Sequence, residues 1–188
     1  EAKILLFPVR HYKKLFVWIT CPLVLARVSR MLFNGEEKNI PEIKKDHALA
    51  KDELVENGKI HFEDLMINAQ KEAKESEKIN FWTNTLKKAM PSEYLKKHFE
   101  QAFIVVEDTL FSQLTISATE VMPRIKIGKD GVVDKQTGGL WYEEFLPQDS
   151  VLYFVMRNAG IEGEEKTGAN LLQESVQKLN SKYINVGG

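Results

Sequence analysis

Residues 120–146 spell out one long β-hairpin, and any fold for this chain has to accommodate it. Thr, Ile and Val dominate an extended pattern running up to Ile127. Asp130-Gly131 gives one turn signal and Thr137-Gly138-Gly139 a second. The chain then returns through Leu140-Trp141-Tyr142-Glu143-Glu144-Phe145-Leu146-Pro147. One arm is basic, Arg124-Ile125-Lys126-Ile127, with Lys129 and Lys135 near the tip, whereas the other is aromatic and acidic. Adjacent strand residues point to opposite faces, so Glu143 shares a side with Trp141 and Phe145, and Glu144 lies on the side of Tyr142 and Leu146. A hairpin this long, with a charged, glycine-bearing tip, exceeds what a core needs; such arms cover a neighbour or meet a ligand. Two readings of Glu143 stand side by side. It is a site carboxylate, or it is a structural ion-pair partner of Arg124 or Lys126.

The remaining pattern is mixed. Residues 3–9 and 15–20 read as strands flanking a basic turn, Arg10-His11-Tyr12-Lys13-Lys14. Pro22 opens a helix with Thr20 as a nearby cap, and Asn34-Gly35 closes it. Residues 36–58 are charged, aperiodic and loop-like, and 59–63 alternate as a strand. Residues 68–90 form an amphipathic helix on Ile79, Trp82 and Leu86, which Pro91 ends. Ser92 caps a second helix reaching about Phe103. A short strand follows at 104–106, then a brief helix over 109–113 capped by Asp108, and the extended pattern begins at Leu114. Residues 150–155 are a strand, 169–180 a helix with Leu171, Leu172, Val176 and Leu179 inward, and 183–186 a last strand. Strands and helices mixed in this way suit a two-layer α+β fold.

Composition narrows the function classes. The 188 residues suffice for one domain with a substantial core. Net charge is −1, so nucleic-acid binding would need a local basic patch rather than a global field. Cys21 is the only cysteine, which rules out an intrachain disulfide and a cysteine zinc site and fits a reducing cytoplasm. No apolar run approaches the roughly 20 residues of a membrane span. There is no initiator methionine, and Gly187-Gly188 closes the sequence directly after a strand, so the chain is expected to be a fragment.

No phosphate-loop, dinucleotide, zinc or nucleophile-elbow motif is present. His11, His47, His61 and His98 are scattered without ligand spacing. What remains is an inventory of phosphate-neutralising and stacking residues. Arg10, Lys13 and Lys14 occupy the first turn, and Arg124 and Lys126 lie on the hairpin beside Trp141 and Tyr142. Trp141 could equally be core.

Three blocks carry a resemblance. They are Ala2-Lys3-Ile4-Leu5-Leu6-Phe7-Pro8-Val9-Arg10 with Phe16–Leu25, then Leu114–Ile127, then Gly139–Pro147; Asn185-Val186-Gly187-Gly188 looks like the opening of a glycine-rich loop. In this order they resemble the repeated backbone subunit of the type III-B (Cmr) CRISPR effector complex, of the RAMP superfamily. The resemblance implies an RRM/ferredoxin-like palm with helical insertions and a protruding thumb. On that plan 1–188 is a single partial RAMP domain, 36–103 a loop and helical insertion, and 120–146 the thumb hairpin. It further implies copies stacked along a CRISPR guide RNA, within a complex of other Cmr subunits. Each thumb displaces one base pair of the guide–target duplex. Target RNA is cut beside each thumb, as antiviral defence, with Mg²⁺ or another divalent cation. The family's principal catalytic aspartate and a histidine precede the matched region. Its Trp-x-Glu-Glu carboxylate corresponds to Glu143. Phe145 stands where a tyrosine is typical, Pro123 replaces a small polar residue and Lys14 a glycine.

The expectation is therefore a cytoplasmic, guide-binding backbone subunit that is a metal-dependent endoribonuclease. Glu143 would be at the cleavage site. Arg124, Lys126, Arg10, Lys13 and Trp141 would contact RNA. The alternatives are a non-catalytic guide-binding scaffold and a protein-interaction domain without an RNA role.

Overall fold

A computed structural model describes residues 2–71, 73–128, 131–133, 139–155 and 173–178. The chain forms two compact units, Ile4–Leu152 and a second one of Glu1–Lys3 with Tyr153–Gly188. The larger unit is α+β, as expected. Its elements begin with β1 (Lys3–Arg10), β2 (Phe16–Thr20), α1 (Pro22–Leu32), β3 (His47–Ala50), β4 (Val55–Glu56), β5 (Lys59–Phe62) and β6 (Leu65–Ala69). They continue with α2 (Ala73–Leu86), α3 (Glu93–Gln101), β7 (Phe103–Val106), α4 (Asp108–Ser117), β8 (Glu120–Ile125), β9 (Leu140–Phe145) and β10 (Val151–Tyr153).

An eight-stranded mixed sheet runs in the order β10-β1-β2-β7-β3-β6-β5-β4, and β8 and β9 form a separate two-stranded sheet. β1 and β2 are antiparallel, with Phe7 opposite Ile19. β7 lies parallel to β2, with Ile19 opposite Ile104. The four residues of β7, Phe-Ile-Val-Val, are all buried, the uninterrupted apolar run of a strand covered on both faces. Trp18, Phe7, Phe99, Phe103, Leu25 and Trp82 fill the core around it. Ile79, Trp82 and Leu86 face inward from α2 at the helical spacing read in the sequence.

Several expectations are corrected. Residues 36–103 are not only loop and helix, because β3 to β6 extend the main sheet from within them. β5 matches the alternation read over 59–63, whereas β3 and β4 show no period in the sequence. The aperiodic segment 36–46 is instead pinned by side chains from other elements. Ser29 Oγ donates to Glu36 O and accepts from Lys38 N. Trp82 Nε1 donates to Asn39 O at 2.8 Å. Gln70 spans Glu42 O and Lys44 N, and Glu42 N donates to Glu75 Oε2. The expected helix over 68–90 starts only at Ala73, since the preceding residues pair with β5 as β6. Thr20 does not cap α1; its hydroxyl is buried with no hydrogen-bond partner among the described residues, and Asp108 Oδ1 accepts from Leu23 N at 2.9 Å instead. Leu114–Ser117 is helical rather than extended, because Phe111 and Leu114, one turn apart, are buried together.

Other readings hold. Ser92 Oγ accepts from Leu95 N and caps α3. Asn34 and Gly35 take positive φ, 53° and 93°, where α1 ends. In the second unit, residues 173–178 are helical and Val176 is exposed rather than inward. Leu171, Leu172, Leu179 and the expected strand 183–186 lie outside the described residues.

Candidate functional site

Strands β8 and β9 pair antiparallel as the hairpin the sequence called for, in a register the sequence left open. Glu120 faces Phe145, Met122 faces Glu143 and Arg124 faces Trp141. These six residues share one face by strand alternation. Val121, Pro123 and Ile125 lie on the other, opposite Glu144, Tyr142 and Leu140. The ladder continues past β8, where Lys126 N donates to Gly139 O at 2.9 Å. Alternation puts Lys126 on the Arg124 face. Lys129 and Lys135 lie outside the described residues.

Glu143 is the centre of this face. Arg124 Nε donates to its Oε2 at 3.0 Å, reaching diagonally across the ladder. Trp141 Nε1, two residues along the same strand, donates to Oε1 at 3.1 Å. The Trp141 and Arg124 hydrogen bonds together hold the Glu143 carboxyl below the usual carboxylate range. The Arg124 and Glu143 side chains keep 46% and 39% exposure, so the pair is open to a ligand. Glu144 points the other way and accepts from Thr119 Oγ1 at 2.5 Å. Glu143 is thus the ion-pair partner of Arg124, and the pair lies on a solvent-exposed face of the hairpin.

Arg10 is brought to the foot of the hairpin. Together with Phe16, Glu63, Thr119, Glu120 and Asp149 it lines a cavity of about 510 Å³. Its backbone is locked to Glu63, with Arg10 N donating to Oε1 at 2.7 Å and Glu63 N donating to Arg10 O at 2.9 Å. Glu63, Glu120 and Asp149 were not singled out by the sequence. Glu63 and Asp149 lie in turns at positive φ. Asp149 O accepts from Trp18 Nε1 at 2.8 Å, which ties this corner to the core.

Lys13 is not part of that grouping. Its ammonium lies 5.2 Å from the Tyr12 ring centroid. Tyr12 packs between His11 and His61, with centroids at 5.1 and 5.0 Å. His11 is buried, its Nδ1 accepts from Lys13 N, and burial pulls its pKa down, so it sits neutral. His98 packs on Phe16 and Trp18 with a ring nitrogen 3.1 Å from Phe16 O. The Cys21 thiol is pushed up to about 12 by burial, which leaves it inert.

A divalent cation finds no ligand set among the described residues. No cluster of three or more His, Cys, Asp or Glu side chains is close enough. Both Glu143 oxygens already take N–H donors, and a guanidinium stands beside them. The donor chemistry of this face suits an anion better than a cation.

No protein-family profile matches the chain. Over its whole length it is 33% identical to the CRISPR system Cmr endoribonuclease Cmr4 of Pyrococcus furiosus, of which it spans 63%. The crystal structure of oligomeric Cmr4 from Pyrococcus furiosus superposes with a TM-score of 0.70 at 28% identity, over all of this chain and 65% of that one. A second Cmr4 crystal structure gives a TM-score of 0.70 at 26% identity, with the same coverage of each chain. A subunit in the apo type III-B Cmr-beta assembly shares the fold, with a TM-score of 0.58 at 19% identity over all of this chain and 63% of that one. The resemblance read from the sequence is borne out along the entire chain.

Proposed function

We infer that this chain is the matched portion of a Cmr4-like backbone subunit, which holds guide RNA and takes part in cutting complementary target RNA. The observation that carries this reading is the exposed hairpin face, on which Arg124, Trp141 and Glu143 form one bonded group with Lys126 beyond it. Its partners would be the guide RNA, the target RNA, copies of the same subunit and the other Cmr subunits. Sequence specificity would come from guide pairing, so the protein would read backbone and shape. Among the described residues no helix is long and apolar enough to cross a membrane. A cytoplasmic setting is part of this proposal.

The chemistry expected is in-line transesterification. The target 2′-oxygen bonds to the adjacent phosphorus, and the P–O5′ bond breaks. The 2′-hydroxyl proton passes to solvent and the leaving O5′ takes one up. A base displaced from the duplex would free the backbone for the in-line geometry. Mg²⁺ or another divalent cation comes with the resemblance, and these hairpin residues do not supply its ligands.

A second reading, a guide-binding scaffold without nuclease activity, is favoured by two observations. Both Glu143 oxygens are already committed, and Phe145 lacks a hydroxyl. Assembling the complete protein with guide RNA and partner subunits, then adding end-labelled complementary RNA, separates the two. Regularly spaced cuts support the nuclease, and bound but uncut target supports the scaffold.

A further inference from the structure

Glu143 and Arg124 differ in what they still have to offer. Glu143 accepts at both oxygens, from a cation and from an indole. Its lowered proton affinity matches that environment and makes it a poor base near neutral pH. Arg124 uses only its Nε–H on Glu143. A guanidinium carries five N–H donors in a planar fork suited to phosphate oxygens. Among the described residues no further partner of this guanidinium is found, and the side chain is 46% exposed. Glu143 therefore fixes the plane of the guanidinium from one edge, while its Nη edge remains available. Such a held, positively charged donor stabilises charge that develops on a phosphate.

We propose that Arg124 is the group that meets the scissile phosphate, with its Nη donors on the non-bridging oxygens, and that Glu143 and Trp141 are positioning residues that hold it. This rests on the RNA-cleaving reading above. It reverses the roles the sequence suggested, in which Glu143 did the chemistry and Arg124 only gripped the backbone. The bonds made and broken are those of the transesterification above. Arg124 donates hydrogen bonds throughout and gives up no proton.

The test uses the assembled complex of the complete protein with guide RNA. Single-turnover cleavage of target and target affinity are measured separately. Arg124→Ala is expected to slow cleavage by about 100-fold or more with target affinity nearly kept, as loss of an oxyanion donor does. Added guanidinium ion should restore part of that rate. Glu143→Gln keeps a carbonyl acceptor for Nε–H, so it should cut within about tenfold of the parent and retain the parent's pH profile. Glu143→Ala should resemble Arg124→Ala. If Arg124→Ala loses target binding altogether, Arg124→Lys decides; its charge without the fork should bind target yet cut slowly. Arg124→Ala or Arg124→Lys cutting at the parent's rate would overturn the proposal. So would a Glu143→Gln variant as inactive as Glu143→Ala with an altered pH profile, the mark of a general base. Target bound but uncut by the parent would instead overturn the nuclease reading, and this role with it.

Discussion

At the residue scale, Glu143 binds the hairpin's two arms through side chains as well as through the backbone ladder. The sign of its pH dependence follows from the direction of its shift. Its folded carboxyl titrates below its unfolded value, so the Arg124 and Trp141 bonds are fully present above the ordinary glutamate pKa. They are lost as pH falls through the lower folded value. The Trp141 indole N–H resonance should therefore move only in acid, with a midpoint below the ordinary glutamate value. A midpoint at or above that value would mean that the two hydrogen bonds do not form in solution. The alternation of side chains had already placed Glu143 on the Trp141 side, and the bond between them is the outcome. The cross-strand diagonal to Arg124 was not legible. It depends on the register, which the long and irregular tip leaves open in the sequence.

Elements here are fixed by side chains that come from far along the chain, and that limits what a local pattern can reveal. α1 has Pro22 at its start but takes its cap from Asp108. Asp108→Ala should cost about 1 kcal/mol of stability, read as a lower melting temperature, while Thr20→Val should not lose a cap. An unchanged Asp108→Ala melting temperature would show that this cap contributes nothing. Segment 36–46 has no period because its backbone groups are met by Ser29, Gln70, Glu75 and Trp82 rather than by a ladder. Gln70→Ala leaves Glu42 O and Lys44 N without those partners and should cost about 1–3 kcal/mol. Amide exchange should then quicken at Lys44 itself; unaltered exchange there would show that the strap is held by something else. The helices at Ser92 and at Ile79–Leu86 were legible because cap and period are local signals. β3 and β4 were not, because the four residues of β3 do not alternate in burial and β4 has only two.

On the scale of the whole molecule, a chain of net charge −1 would meet RNA through local cations, and Arg124 and Lys126 lie along the hairpin with Arg10 at its foot. The α+β class and the long hairpin could be read from alternation and turn residues. The extra strands of the main sheet and the cavity beneath the hairpin could not, since both arise from packing between distant segments. RNA binding carried by such a local patch should weaken steeply with salt, and Arg124→Ala should flatten that slope by about one phosphate contact. A slope unaffected by the substitution would place the phosphates elsewhere. The central claim is RNA-guided cutting by a subunit of this kind. It is tested most directly by giving the complex, assembled on one guide, end-labelled RNAs with and without complementarity to that guide. Cuts at regular intervals in the complementary RNA alone, lost in Glu143→Ala while target binding persists, are the predicted result. Complementary RNA that is bound but intact, or cuts that ignore the guide, would contradict it.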